Sequence, residues 1–280
     1  MTDRDTRAVT RRTALGLGAA AGLGALAGCG SGDRPDPALA GSAVAAPGGA
    51  SSGPAGPAEP AGPAGPVVAG HPHRPAAAPG GPAVELASGP RTRPEVALTF
   101  HGAGDPALAR QVLAVAEAAG ARLTVLAVGT WLAAHPDLGR RIAGAGHELG
   151  NHTWTHPALA TLPPAEVAAQ IERCRDLVDR LTGSPGAHFR QSQGQHSTPL
   201  IRRLAGRAGY RVCLSYDVDS LDWTDPGPAA VRATVAARVR PGSVVSMHLG
   251  HPGTLAALPG VLADLRRRGL RPVTASTLLG

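Results

Sequence analysis

The chain has 280 residues, with 27 Lys plus Arg against 20 Asp plus Glu, and its formal net charge of +7 rests on arginine because it contains no lysine. Only 2% of its residues are aromatic, too few for the stacking platforms that single-stranded nucleic acid needs, so nucleic acid is excluded as a partner. A modest positive balance suits an anionic cell envelope, and the length allows one domain with a sizeable core once a low-complexity N-terminal part is set aside.

Residues 1–29 read as an export signal rather than as part of a core. A polar start leads to the pair Arg11 and Arg12, then to an apolar run over 14–27, then to Leu26, Ala27, Gly28 and Cys29. The run is too short and too glycine-rich for a bilayer span, which takes about 20 strongly apolar residues. It resembles a twin-arginine lipoprotein signal, and the resemblance implies lipidation of Cys29 and an extracytoplasmic, membrane-anchored protein. Residues 30–92 are dominated by Pro, Gly, Ala and Ser without hydrophobic periodicity, which predicts a disordered linker. The glycines do not recur at every third position, so a collagen helix is excluded.

The remaining segment, 93–280, alternates apolar runs with helical patterns. Strands are expected at 96–100, 123–128, 148–151, 187–190, 212–216, 244–248 and 272–274. Helices are expected at 107–119, 164–182, 199–208, 228–239 and 254–268, several of them opened by a proline in the first turn. This alternation predicts a single α/β domain whose parallel sheet closes fully or partly into a barrel. Cys174 and Cys213 lie within this domain and read as buried free thiols.

In such barrels the chemistry sits where strands end and loops begin. His101 and Asp105 follow the first strand; Asn151, His152 and His156 follow the third. Arg190 and His196 follow the fourth, Asp217, Asp219 and Asp222 the fifth, and His248 and His251 the sixth. Loop ends are polar because they are wet, which explains single residues but not so many histidines. Asp105, followed by Pro106, is most simply a helix N-cap. His152 and His156, four apart, can offer two imidazoles to one divalent cation if the segment turns helically.

The run Gly146-His147-Glu148-Leu149-Gly150-Asn151-His152-Thr153-Trp154-Thr155-His156-Pro157 closely resembles the histidine motif of the polysaccharide deacetylases (the NodB-homology domain, or carbohydrate esterase family 4). Leu98-Thr99-Phe100, Phe189-Arg190, Asp219-Ser220-Leu221-Asp222-Trp223 and Met247-His248 follow the family's other motifs in order. The resemblance implies a distorted (β/α)7 barrel and hydrolysis of acetyl groups on a cell-envelope polysaccharide. It also implies a divalent transition metal, zinc in many members. By resemblance His152 and His156 are metal ligands and His248 is the general acid. Asp222 and Asp219 then set the state of His248, Arg190 orients the base, and Trp223 walls the acetyl pocket.

The first and third motifs depart from the pattern. His101 stands where the family has its base Asp, and Gly102 where it has the ligand Asp; Arg190 is followed by Gln191-Ser192-Gln193 rather than by proline and an aromatic. Three readings follow. The site is rebuilt, with His101 as base or third ligand and Asp105 or His196 as supplements, His196 also serving in substrate binding. Alternatively, the domain is an inactive glycan-binding pseudoenzyme, or it hydrolyses a different acyl or amide substrate. A histidine brought in beside intact second, fourth and fifth motifs points to the rebuilt site.

Overall fold

The computed structural model describes residues 81–280; the export signal, Cys29 and the linker as far as residue 80 lie outside the described residues. Nine strands form one sheet: β1 (Val84–Leu86), β2 (Glu95–Gly102), β3 (Thr124–Ala127), β4 (Glu148–Asn151), β5 (His188–Phe189), β6 (Val212–Leu214), β7 (Val218–Asp219), β8 (Val244–His248) and β9 (Arg271–Val273). The connecting helices are α1 (Pro106–Ala118), α2 (Gly129–Ala134), α3 (Pro136–Gly144), α4 (Pro164–Thr182), α5 (Pro199–Arg207), α6 (Pro228–Arg238), α7 (Pro252–Arg267) and α8 (Ala275–Leu279).

All strand ladders are parallel, in the order β1-β6-β5-β4-β3-β2-β8-β7, with β9 beside the start of β2. This is a distorted (β/α)7 barrel left open between β1 and β7. The gap is spanned by a bridge from Ser88 to Ser243 and by the Gly89 amide, which donates to the Gly242 carbonyl at 2.8 Å. A parallel sheet covered by helices buries both faces of its strands, and β2 and β3 are accordingly buried almost throughout. Leu98 and Phe100 are fully buried, each worth about 2–3 kcal/mol of apolar transfer, and they fix the strand that ends in His101.

Helix entries follow local chemistry. The Asp105 carboxylate accepts from the Ala107 amide at 2.7 Å ahead of Pro106, and the Thr198 hydroxyl accepts from the Ile201 amide at 3.2 Å ahead of Pro199. At its other end α4 stops at Gly183, which takes the left-handed conformation (φ 74°).

The folded region begins earlier than the boundary at residue 93. Val84–Leu86 pairs with β6, the Leu86 carbonyl accepts from the Ser215 amide at 2.8 Å, and Arg91 pairs with Asp217 at 2.8 Å. A three-residue edge strand among prolines and glycines carries too little periodicity to register against the linker composition. Cys174 and Cys213 are buried free thiols; burial pushes them up to about 12 and about 11.

Candidate functional site

Because all strands run the same way, their C-terminal ends share one rim. The β2–β8 register sets His101 directly beside His248. Two strands across, β4 ends at Asn151 and delivers His152, whose amide donates to the Ala127 carbonyl at 2.9 Å. The result is a row of imidazoles. Ring centroids are 4.8 Å apart for His156 and His152, 4.2 Å for His152 and His101, 4.4 Å for His101 and His248, and 5.7 Å for His248 and His251.

His152 and His156 do not meet across a helical turn. The loop after β4 bends through two left-handed non-glycine residues, Thr153 (φ 67°) and His156 (φ 61°), at a cost of roughly 1–2 kcal/mol each. Asn151 holds the bend: its side chain donates to the Ile171 carbonyl at 2.8 Å and to the Tyr210 hydroxyl at 3.0 Å, and accepts from the Thr153 amide at 2.8 Å. Trp154 is clamped as well. Gln170 Oε1 accepts from the amides of Trp154 and Thr155, Arg173 stacks over the indole at 4.0 Å, and a Cβ on Gly129 would lie 2.3 Å from that ring. The loops after β2 and β8 meet glycine to glycine. A Cβ on Gly104 (φ 90°) would lie 2.5 Å from the Gly250 Cα, so this approach requires glycine.

The dyad of Asp222 and His248 is fully formed. His248 Nδ1 lies 2.7 Å from Asp222 Oδ1, while Oδ2 accepts from the His248 amide at 2.8 Å and from the Thr254 hydroxyl at 2.6 Å. Burial pushes the Asp222 carboxyl up, but the bonds and charge of His248 with the Thr254 hydroxyl outweigh it, so its pKa lies below the ordinary value. Nδ1 therefore carries the proton, and Nε2 of His248 is the nitrogen left for a ligand. Asp219 does not join this dyad: its carboxylate accepts from the Leu221 amide at 2.9 Å, closing the turn that positions Asp222.

Arg190 is the largest fully buried side chain, 1% exposed. Its Nε donates to the Leu214 carbonyl at 2.7 Å, Nη2 to the Ser215 carbonyl at 3.1 Å, and Nη1 to His101 Nε2 at 3.2 Å. Among the described residues no carboxylate forms an ion pair with it. Burial without an anion pulls the guanidinium down to about 10. A guanidinium can only donate, so His101 Nε2 accepts and the proton of His101 sits on Nδ1. Burial, then the neighbouring His152, Arg190, His248 and His156, hold the His101 pKa well below the ordinary histidine value. His152 is pushed down by burial and by His156, and His156 by burial and by His248.

One atom in the row is poised for a metal. His152 Nδ1 donates to the Arg190 carbonyl at 3.0 Å, which leaves Nε2 buried and without a hydrogen-bond partner. His156 stands next to it. A third donor is lacking, and among the described residues no three His, Cys, Asp or Glu side chains are arranged to hold a metal ion. The lone pair of His101 Nε2 is taken by Arg190, Asp105 is committed to capping α1, and Gly102 has no donor. A Cβ on Gly102 would lie 2.9 Å from Val125 Cγ1 and 3.0 Å from the Ala127 Cα. The residues therefore do not fit an Asp-His-His metal centre.

The structure does not bring His196 into the row. Its Nδ1 pairs with Glu85 Oε1 at 2.7 Å, and the other Glu85 oxygen accepts from the Ser197 amide, which ties this loop to β1. Asp217 is bonded to Arg91 and to the Val244 amide, at the opposite end of β8 from His248. Trp223 is 53% exposed. Sequence reasoning missed Thr254 and the pairing of His251 with Asp225; both are contacts between distant segments that no local motif announces.

The site is thus a histidine–carboxylate dyad and an imidazole row on the C-terminal rim of a partly open parallel barrel. The polysaccharide deacetylase family pattern matches residues 88–213. A chitooligosaccharide deacetylase from Bradyrhizobium sp. (strain ANU 289) is 32% identical over 189 residues, 62% of this chain and 85% of that protein. A peptidoglycan-N-acetylglucosamine deacetylase from Bacillus cereus is 29% identical over 195 residues, covering 68% of this chain and 70% of that one. The crystal structure of a CE4 family pseudoenzyme from Bacillus anthracis superposes with a TM-score of 0.66 at 23% identity, over 70% of this chain and 69% of that one, a likeness of fold. The chain belongs to the polysaccharide deacetylase family.

Proposed function

We propose that this domain binds acetylated cell-envelope glycan at the histidine rim without carrying out metal-assisted deacetylation. The observation that carries this reading is Arg190. The family's arginine faces a carboxylate base; here it faces a neutral imidazole whose one lone pair it already occupies. A carboxylate can accept from the arginine and still take a proton from water, whereas His101 held this way cannot. With Gly102 opposite β3, the charge that would offset a divalent cation is also missing. What the rim retains suits binding: Nε2 of His248, with its tautomer fixed by Asp222, to accept from a hydroxyl or an amide N–H, and an exposed indole at Trp223 for a sugar face.

The second reading, a hydrolase with a rebuilt site, is favoured by one observation, the complete Asp222–His248 dyad beside the unpartnered His152 Nε2. It requires zinc or another transition metal on His152 and His156, with the third position supplied by something other than His101 as placed. Equilibrium dialysis against N-acetylated oligosaccharide, with and without zinc, separates the two. Binding is expected with a chelator present and unchanged by zinc; binding that appears only with zinc overturns the proposal.

The same proposal places the protein outside the cytoplasm. Arg11 and Arg12, the box ending in Cys29 and the Pro/Gly-rich segment support export and a lipid tether, which would hold the rim against the envelope glycan.

A further inference from the structure

Beyond the Asp222–His248 dyad the rim carries a second pair built the same way. His251 Nδ1 lies 2.9 Å from Asp225 Oδ1. The two carboxylates are three residues apart on one segment and the two histidines three apart on another, and the imidazoles meet edge to face at 5.7 Å. The outer pair continues the row toward solvent: the side chain of His251 is 28% exposed and that of Asp225 65%, against 22% and none for His248 and Asp222.

The local backbone is bent to make this pair. Leu221 (φ 59°) and Asp225 (φ 51°) take the left-handed conformation on either side of the short 3-10 turn Asp222–Thr224. Such residues cost roughly 1–2 kcal/mol each and persist only when their surroundings fix them. His251 precedes α7 at the position where a side chain caps the helix, yet it makes no capping bond there and is turned to Asp225 instead. Trp223 stands out of this turn, one of two exposed large hydrophobic side chains among the described residues. An exposed indole two residues before the carboxylate that orients an imidazole is a combination suited to carbohydrate: an apolar face for a ring and a directed hydrogen bond for a hydroxyl.

We propose that Asp225 and His251 form an outer sugar subsite, in which His251 Nε2 takes a hydroxyl hydrogen of the sugar next to the one whose acetyl group enters the inner row. This rests on the glycan-binding reading. With Nδ1 turned to Asp225, Nε2 is the nitrogen left for a ligand, and a sugar hydroxyl, which both donates and accepts, matches it.

The test compares N-acetylglucosamine with its N-acetylated tetrasaccharide on the full chain by isothermal titration calorimetry. His251→Ala and Asp225→Asn are each expected to weaken tetrasaccharide binding about fivefold, the worth of one neutral hydrogen bond, and to leave the monosaccharide unchanged. His251→Gln, which keeps an acceptor near Nε2, is expected to recover part of the loss. If the pair only staples the turn to α7, the variants melt lower and lose both ligands alike, or lose neither, and the subsite is overturned while the binding reading stands. A wild-type chain that binds neither sugar overturns both.

Discussion

Replacing His101 by Asp should stabilise the protein, although it exchanges a packed ring for a charged group in the middle of the molecule. The expectation follows from Arg190, already buried and already without an anion, so that its own desolvation is part of the wild-type balance. At about 4 Å and an effective dielectric of about 20, the new pair attracts by about 4 kcal/mol. Burying one carboxylate costs several kcal/mol, which leaves a net gain of about 1 kcal/mol. For a domain of this size that corresponds to a rise of about 3 °C in Tm. The signature lies in the pH dependence. His101 has a folded pKa below its unfolded value, so its contribution is fully present above about pH 6.5 and is lost as pH falls. A carboxylate facing Arg190 would have its pKa depressed, so its contribution holds until pH falls through about 4. The margin of His101→Asp over wild type should therefore widen from pH 6.5 to pH 4.5. Thermal melts in chelator across that range measure it. A variant that melts below wild type at pH 7, with no widening at lower pH, would refute the view of Arg190 as an uncompensated buried cation.

Three further outcomes are expected. His101 and His152 are held well below the ordinary histidine range in the folded state, so stability should fall below pH 6.5 by up to about 1.4 kcal/mol per pH unit for each; denaturant titrations in chelator that show a flat profile from pH 7 to 5.5 would contradict this. Gly102→Asp should destabilise by about 1–3 kcal/mol, because its Cβ meets Val125 and the Ala127 backbone, and a variant as stable as wild type would mean that β3 yields freely. Cys29→Ser should release the protein from the membrane fraction or leave it as the longer unprocessed form, and a variant that is processed to the wild-type length and still membrane-associated would rule out a lipid anchor at that residue.

Much of the fold was legible because its signals are local. The helix expected at 164–182 matches α4 at both ends, since Pro164 opens it and Gly183 closes it. The strands expected at 148–151 and 244–248 match β4 and β8, which end at Asn151 and His248. β1 and β7 were not legible, because β1 lies among prolines and glycines and β7 is a two-residue piece, Val218–Asp219, of a run of aspartates. That gap hid a site contact as well, because the partner of His196 is Glu85, on the strand that composition assigned to the linker. The histidines of the rim were visible as residues, but their states were not. That Arg190 consumes the lone pair of His101, that Asp219 closes a turn while Asp222 orients His248, and that Thr254 completes the carboxylate's partners all depend on segments brought together from far apart in the chain.

The account's central claim is that the rim holds acetylated glycan but does not turn it over. Acetate release from N-acetylated tetrasaccharide and from peptidoglycan, measured with purified protein under saturating zinc, tests it most directly. The claim predicts release no faster than the protein-free blank, together with retained binding of the tetrasaccharide. Catalytic acetate release that is abolished by chelator and by His152→Ala would contradict it and establish the rebuilt hydrolytic site instead.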